Sequence, residues 1–178
     1  MEFVGAVLTG GASRRMGRDK ATIELDGVAM AARVAEALRS AGAAEVVSVG
    51  PATAGLASIT EADPGQGPLG AVVAALQWAG SRPVLVAACD LLAPDASVFG
   101  AVVGALAAGA DAAVPVVGGR PQPLAAAYAP SALAPLAAAY EGGERSITTA
   151  LRGLRVVEID EIDPSALRDA DEPGDLPQ

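Results

Sequence analysis

Short apolar runs alternate with Ala-rich stretches along most of the chain. Phe3–Leu8 has the continuous apolar character of a buried strand, and a glycine-rich loop follows it. Ala29–Ala41 reads as a helix stopped by Gly42, and Glu45–Val49 as a short β-branched strand. Leu69–Ala79 reads as a helix after a Pro-Gly turn, Pro83–Ala88 as a strand, and Pro94–Ala108 as a helix. Asp111–Val117 and Pro123–Tyr128 read as strands around the turn Gly118-Gly119. Ser131–Tyr140 and Ser146–Leu151 read as helices, and Leu154–Ile159 as a late strand. Strands and helices alternating at this spacing predict an α/β fold of three layers: a mostly parallel, Rossmann-like sheet with helices on both faces. Such sheets bind ligands beyond the carboxyl ends of their strands, where the strand order reverses.

With 178 residues, no repeat and no evident linker, the expectation is one domain over residues 1–178. Its acidic tail from about residue 160 reads as a last short helix and loop, or as a less ordered segment. Hydrophobic residues make up 52% and charged residues 19%, which predicts a folded core, but aromatics are only 3%, so Ala, Val and Leu must build it. The net charge of -9 and the scarcity of stacking side chains argue against a nucleic-acid partner. No apolar run reaches the roughly 18 residues of a membrane span, and no basic leader precedes the first strand, so a soluble cytoplasmic protein is expected. The absence of histidine excludes Ser-His-Asp triads and His-ligated zinc, and the single cysteine, Cys89, excludes an internal disulfide. Cys89 reads as a small core residue. Chemistry is left to carboxylates, Lys, Arg, backbone N–H groups and a borrowed metal.

Against this acidic background, Leu8-Thr-Gly-Gly-Ala-Ser-Arg-Arg-Met-Gly-Arg-Asp-Lys20 gathers three glycines, three arginines and a lysine in thirteen positions directly after the first strand. Glycine at 10 and 11 lets the backbone turn sharply and approach an anion closely. Arg14, Arg15, Arg18 and Lys20 supply charge matched to a triphosphate. The spacing is neither that of a Walker A loop nor GxGxxG.

This string resembles the signature of nucleotidyltransferases that act on molybdopterin, and more narrowly of the molybdenum cofactor guanylyltransferases, which typically read Leu-Ala-Gly-Gly-x-Ser-x-Arg-Met-Gly-x-Asp-Lys. The resemblance continues along the chain. Gly67-Pro68-Leu69-Gly70 stands where the family has a Gly-Pro-Leu-x-Gly stretch, preceded by an acid assigned to nucleotide recognition; here that acid is Asp63 or Glu61, with Asp63 preferred. The turn feeding a helix N-terminus also favours an anion. Asp90, at the end of the strand Val84–Ala88, takes the position of the family's Asp-x-Pro, although Leu92 replaces the proline; a carboxylate there is the expected Mg²⁺ ligand. Arg120-Pro-Gln122-Pro-Leu resembles an element on the pterin side. Asp169-Ala-Asp171-Glu172-Pro resembles the family's closing motif, with Glu172 in place of Thr; Asp171 would add a metal contact and Asp169 a substrate contact. Glu144, Arg145 and Trp78 read as surface or packing residues.

The resemblance implies the nucleotide-diphospho-sugar transferase type of fold, GTP and molybdopterin as substrates, Mg²⁺ as cofactor, and transfer of GMP to the terminal phosphate of molybdopterin with release of pyrophosphate. Lys20, Arg15 and Asp90 would be the catalytic groups. Leu8, Thr9, Gly10, Gly11, Lys20, Asp63 and Asp90 would hold the nucleotide and its metal. Leu8 and Thr9 would contact the base through backbone, and Gly10 and Gly11 would offer N–H groups to phosphate. Transient contact with molybdoenzymes or their chaperones is implied as well, with no membrane partner. The alternatives are a cytidylyltransferase or another nucleotidyltransferase of this fold, and, from a different class, a nucleotide-binding protein without catalysis.

Overall fold

The computed structural model describes residues 1–10, 20–53, 55–106 and 108–170. Gly11, Arg14, Arg15, Arg18, Asp171 and Glu172 lie outside the described residues. In chain order the elements are β1 (Val4–Leu8), a 3-10 turn (Lys20–Thr22), the short strands β2 (Glu24–Leu25) and β3 (Val28–Ala29), and α1 (Met30–Ser40). Next come β4 (Val46–Val49), β5 (Ala57–Ile59), α2 (Pro68–Ala79), β6 (Val84–Ala88) and α3 (Ala96–Gly104). The chain continues through β7 (Ala112–Val117), β8 (Arg120–Pro121), β9 (Ala125–Tyr128), α4 (Leu133–Glu141), α5 (Ile147–Ala150) and β10 (Val156–Ile159).

The main sheet runs β10-β7-β9-β6-β1-β4-β5, with β8 paired to β7. Its pairs are parallel except where β9 inserts antiparallel between β6 and β7, and where β8 folds back on β7. The expected mostly parallel sheet is thus observed. Side chains of successive residues point to opposite faces, and the two cores divide accordingly. Val7, Leu85, Ala87, Ala113 and Ala127 pack beneath α1 and α3, while Ala6, Leu8, Val84, Val86, Ala112 and Ala126 pack beneath α2, α4 and α5. Small side chains dominate both faces, which lets the helices lie close to the sheet without aromatic filler. The strand order reverses between β1 and β6: the chain moves outward from β1 to β4 and β5, then α2 carries it back to β6 on the other side. The carboxyl ends of β1 and β6 therefore flank the crevice that this topology opens.

Several elements differ from expectation, and neither β5 nor β8 was anticipated as a strand. The helix predicted over 94–108 is shorter, because Asp95 caps it by accepting the Ser97 N–H at 2.7 Å and the last helical residue is Gly104. The β2–β3 hairpin was not anticipated; it turns on Asp26 and Gly27, with φ of 54° and 76°, the type I′ geometry that Asp-Gly favours. At the far edge, the buried Asp111 carboxylate ties β7 to the chain entering β10. It accepts from the Arg155 side chain at 2.8 and 3.0 Å, from the Arg155 backbone N–H at 2.9 Å and from the Ser131 hydroxyl at 2.6 Å. Among the described residues no helix is long and apolar enough to cross a membrane.

Candidate active site

A cavity of about 560 Å³ opens at the carboxyl ends of β1 and β6. One wall is the end of β1. Leu8 and Thr9 are buried there, and Gly10 stands at the surface. The Thr9 and Gly10 N–H groups both donate to the Val49 carbonyl, at 2.9 and 3.0 Å, and the Thr9 hydroxyl is shared between the carbonyls of Val49 and Pro51, at 3.1 and 3.0 Å. The Gly10 N–H, expected to face phosphate, is here bonded to the end of β4. The Thr9 N–H is likewise committed to Val49. Gly50 makes the approach of β4 to β1 possible. It has φ of 114°, and a Cβ there would stand 2.5 Å from the Gly10 nitrogen.

Glu61 follows β5 and lies on the same wall, only 6% exposed. Its two carboxylate oxygens occupy the space that side chains at Gly10 and Gly70 would fill, 2.8 and 3.3 Å from the positions their Cβ atoms would take. Burial away from water pushes its pKa above the ordinary carboxylate value. Asp63 is exposed, accepts the Tyr140 hydroxyl at 3.3 Å and lines a separate groove. Of the two acids the sequence offered, Glu61 lines the cavity and Asp63, the preferred one, lines the neighbouring groove.

The start of α2 is also less open to anions than its sequence suggests. Pro68 has no N–H, and the Leu69 N–H donates to the Arg145 carbonyl at 3.3 Å. Arg145 is therefore not a plain surface residue. Its guanidinium lies 4.3 Å from the centroid of the Tyr140 ring and donates to the carbonyls of Tyr140 and Glu144, each at 2.8 Å. Glu144 accepts the N–H groups of Arg145 and Ser146 at 2.8 and 2.7 Å. This corner delivers Ser146, Ile147 and Thr148 to the cavity wall. Sequence reasoning missed those three; the only local signal is Ser146 as the cap of α5, where it accepts the Thr149 N–H at 3.3 Å.

Asp90 lies just beyond β6, on the floor of the cavity. Cys89 before it is buried, as expected, and its N–H donates to the Leu8 carbonyl at 3.2 Å, which locks the two central strand ends together. The chain end returns to this spot. The Leu92 N–H donates to the Arg168 carbonyl at 2.9 Å and the Ala170 N–H to the Asp90 carbonyl at 3.0 Å, around an antiparallel bridge between Leu91 and Asp169. Asp169 thus lines the cavity together with Asp90. Gln122, Pro123 and Leu124 form the wall toward β9, and the Gln122 side chain donates to the Arg120 carbonyl at 3.1 Å. Arg120 itself is exposed on β8 and does not line the cavity. Lys20 opens the 3-10 turn after the glycine-rich loop.

Among the described residues no group of three or more His, Cys, Asp or Glu is placed to hold a metal by itself. Two hard carboxylates, Asp90 and Asp169, do share the cavity. That donor set fits Mg²⁺, which is commonly held by one or two carboxylates with the remaining positions taken by water and substrate phosphates.

A three-layer α/β sheet with a carboxylate-floored crevice at its switch point defines a nucleotide-handling enzyme of the nucleotidyltransferase type. The chain belongs to the MobA-like NTP transferase domain family, which it matches over residues 5–156. It is 41% identical over 153 residues to a probable molybdenum cofactor guanylyltransferase of Opitutus terrae, covering 82% of this chain and 75% of that one. It is 33% identical over 167 residues to the molybdenum cofactor guanylyltransferase of Pseudomonas putida, covering 86% and 87%. In structure it is similar to molybdopterin-guanine dinucleotide biosynthesis protein A from Archaeoglobus fulgidus, with a TM-score of 0.82, 27% identity and coverage of 98% and 95%. The fold alone is shared with 2-C-methyl-D-erythritol 4-phosphate cytidylyltransferase of Thermus thermophilus, at a TM-score of 0.71, 22% identity and coverage of 99% and 96%.

Proposed function

We infer that the chain transfers GMP from GTP to the terminal phosphate of molybdopterin and releases pyrophosphate, acting in the cytoplasm as a single nucleotidyltransferase domain. The observation that carries this reading is the cavity at the β1/β6 switch point, which has Glu61 on one side, Asp90 and Asp169 on its floor and Gln122 across from Glu61. The names of the relatives support molybdopterin as the acceptor.

On the nucleotide side, Glu61 offers two acceptor oxygens, and no hydrogen bond to them is seen among the described residues. The Watson–Crick edge of guanine carries two adjacent donors, N1–H and the 2-amino group, which an ionised carboxylate accepts as a pair. Cytosine has a single amino donor beside two acceptors, so the same carboxylate favours GTP over CTP. Lys20 and Arg15 neutralise the triphosphate. Asp90, with Asp169 or Asp171, would hold Mg²⁺, which when bound supplies charge neutralisation at the α-phosphate and the departing pyrophosphate. An oxygen of the acceptor phosphate forms the new bond to the α-phosphorus as the bond to the β-phosphate oxygen breaks. That oxygen is already anionic, so a chain without histidine lacks nothing the step needs. On the acceptor side, Gln122, Ser146 and Thr148 supply polar contacts, and Arg120 stands at the margin for an anionic group. Release of so reactive a product is best followed by direct transfer to a molybdoenzyme or its chaperone.

Incubating the protein with GTP, Mg²⁺ and molybdopterin and weighing the product by mass spectrometry tests the reading. A product heavier than molybdopterin by one GMP is expected. Unaltered molybdopterin, from folded protein and intact acceptor, would overturn it.

A further inference from the structure

Beyond the two large cores, three buried residues form a cluster of their own: Leu25 on β2, Met30 at the start of α1, and Ala170, with Ile23 and Leu92 packed against them. Leu25 is 6% exposed, and Met30 and Ala170 are fully buried. They and their neighbour Leu92 come from three functional segments. Leu25 and Met30 belong to the hairpin after Lys20 and the start of α1 that follows it, Leu92 to the loop that carries Asp90, and Ala170 to the returning chain that carries Asp169. The hairpin closes onto α1 because that helix has no side-chain cap and its Met30 N–H is satisfied by the Ile23 carbonyl at 2.8 Å. The returning chain is anchored upstream by Ala166 and Leu167 in the large core, and at its end it pairs with Asp90 and Leu92 through a short ribbon of backbone bonds. Two such bonds at an edge do not hold a segment by themselves, since exposed backbone pairs open locally. Apolar side chains behind them supply the missing constraint.

We propose that Leu25 and Met30 are positioning residues for nucleotidyl transfer, acting through Ala170 and Leu92 to hold Asp169 in register with Asp90. The inference rests on the proposed function, because it assigns work to those two carboxylates. The large core takes Leu91, Ala166 and Leu167, whereas this cluster adds cover at Leu92 and Ala170, next to the two carboxylates. A displacement of about 1 Å at such a place costs on the order of 100-fold in rate.

The test compares Leu25→Ala with Leu38→Ala. Leu38 is a fully buried leucine of the large core that lies against Gly5, away from the carboxyl end of β1. Two quantities are read: hydrogen exchange at the Leu92 and Ala170 amides, and kcat with KM for GTP. Leu25→Ala is expected to speed exchange at both amides by about tenfold or more, and to lower kcat by about tenfold or more with little change in KM. Leu25→Met is expected to restore both. Leu38→Ala is expected to lower the melting temperature more than Leu25→Ala does, with kcat and the two amides near wild type. Unchanged exchange in Leu25→Ala, or faster exchange with unchanged kcat, would overturn the proposal. If wild type were inactive with GTP, the proposed function would fall while the exchange comparison still judged the positioning. Should Leu25→Ala not fold, Leu25→Val carries the same comparison.

Discussion

Replacing Glu61 by Gln exchanges one carboxylate oxygen for an amide nitrogen, at a site where Gly10 and Gly70 leave just enough room for the side chain. The shape is kept and the charge removed. In the GTP complex one guanine donor would then face an amide donor, and the other would lose a charged acceptor. A hydrogen bond to a charged group contributes about 1.5–3 kcal/mol, and an unmet buried donor costs a similar amount, so a loss of about 3 kcal/mol is expected. At 1.36 kcal/mol per decade this is roughly a 100-fold fall in kcat/KM for GTP, with a much smaller effect for CTP. Stability should move the other way. Burial raises the folded-state pKa of Glu61 above its unfolded value, so the folded state binds more protons and stability falls as pH rises through that window. At neutral pH the ionised Glu61 is thus a cost to the free protein, and Glu61→Gln should melt at an equal or higher temperature. The wild-type kcat/KM for GTP should fall on acidification through a pKa above the usual glutamate value, and Glu61→Gln should lose that limb. Steady-state kinetics across pH, with calorimetric melting of both proteins, checks all three. A variant with GTP kinetics within about twofold of wild type, or one that melts lower with no change in specificity, would refute a recognition role.

Lys20→Ala should raise KM for GTP about 10- to 100-fold, the loss expected for one charged contact to a triphosphate, without altering the melting temperature; titration calorimetry with GTP measures it. Asp111→Asn should destabilise the fold by about 2 kcal/mol, since Asp111 is buried beneath several donors while Arg155 is largely exposed and screened, and denaturant melts would register it. The Arg155 and Ser131 hydrogen bonds hold the Asp111 pKa well below the usual carboxylate range, so its contribution is present above about pH 4, near the ordinary aspartate pKa, and is lost as pH falls further toward the folded-state value. Asp111→Asn should therefore flatten the acid limb of the stability curve, and a variant with the wild-type acid limb would contradict the assignment.

Much of the fold was legible because the strands are continuous apolar runs and the intervening Ala-rich stretches are long enough to show helical spacing. Asp90 was legible for the same reason: it ends the apolar run of β6, and a parallel sheet puts such a residue at the crevice. The hairpin at Glu24–Ala29 was missed because its strands are two residues each, too short for any period; the Asp26-Gly27 pair was the available signal. Other points depended on long-range pairing that no local pattern encodes. The Gly10 N–H is taken by Val49, far away in the chain, and the Leu69 N–H by Arg145, brought near by the packing of α4 on α2. Glu61 and Asp63 are told apart only by tertiary packing, which sets Glu61 against Gly10 in the cavity and Asp63 against the Tyr140 hydroxyl. The return of Asp169 to the floor was suggested by resemblance, and the contacts that accompany it, Ala166 and Leu167 in the large core and Ala170 against Leu25 and Met30, emerge only in three dimensions.

The most direct test of the central claim is the rate of pyrophosphate release with Mg²⁺ and molybdopterin, measured in parallel for GTP, CTP, ATP and UTP, with Asp90→Ala beside the wild type. The account predicts release with GTP well above the other three, and a loss of about 10²–10³-fold in Asp90→Ala at unchanged melting temperature, the scale on which loss of transition-state charge stabilisation is felt. Release that favours CTP, or an Asp90→Ala protein that turns over GTP at the wild-type rate, would contradict it.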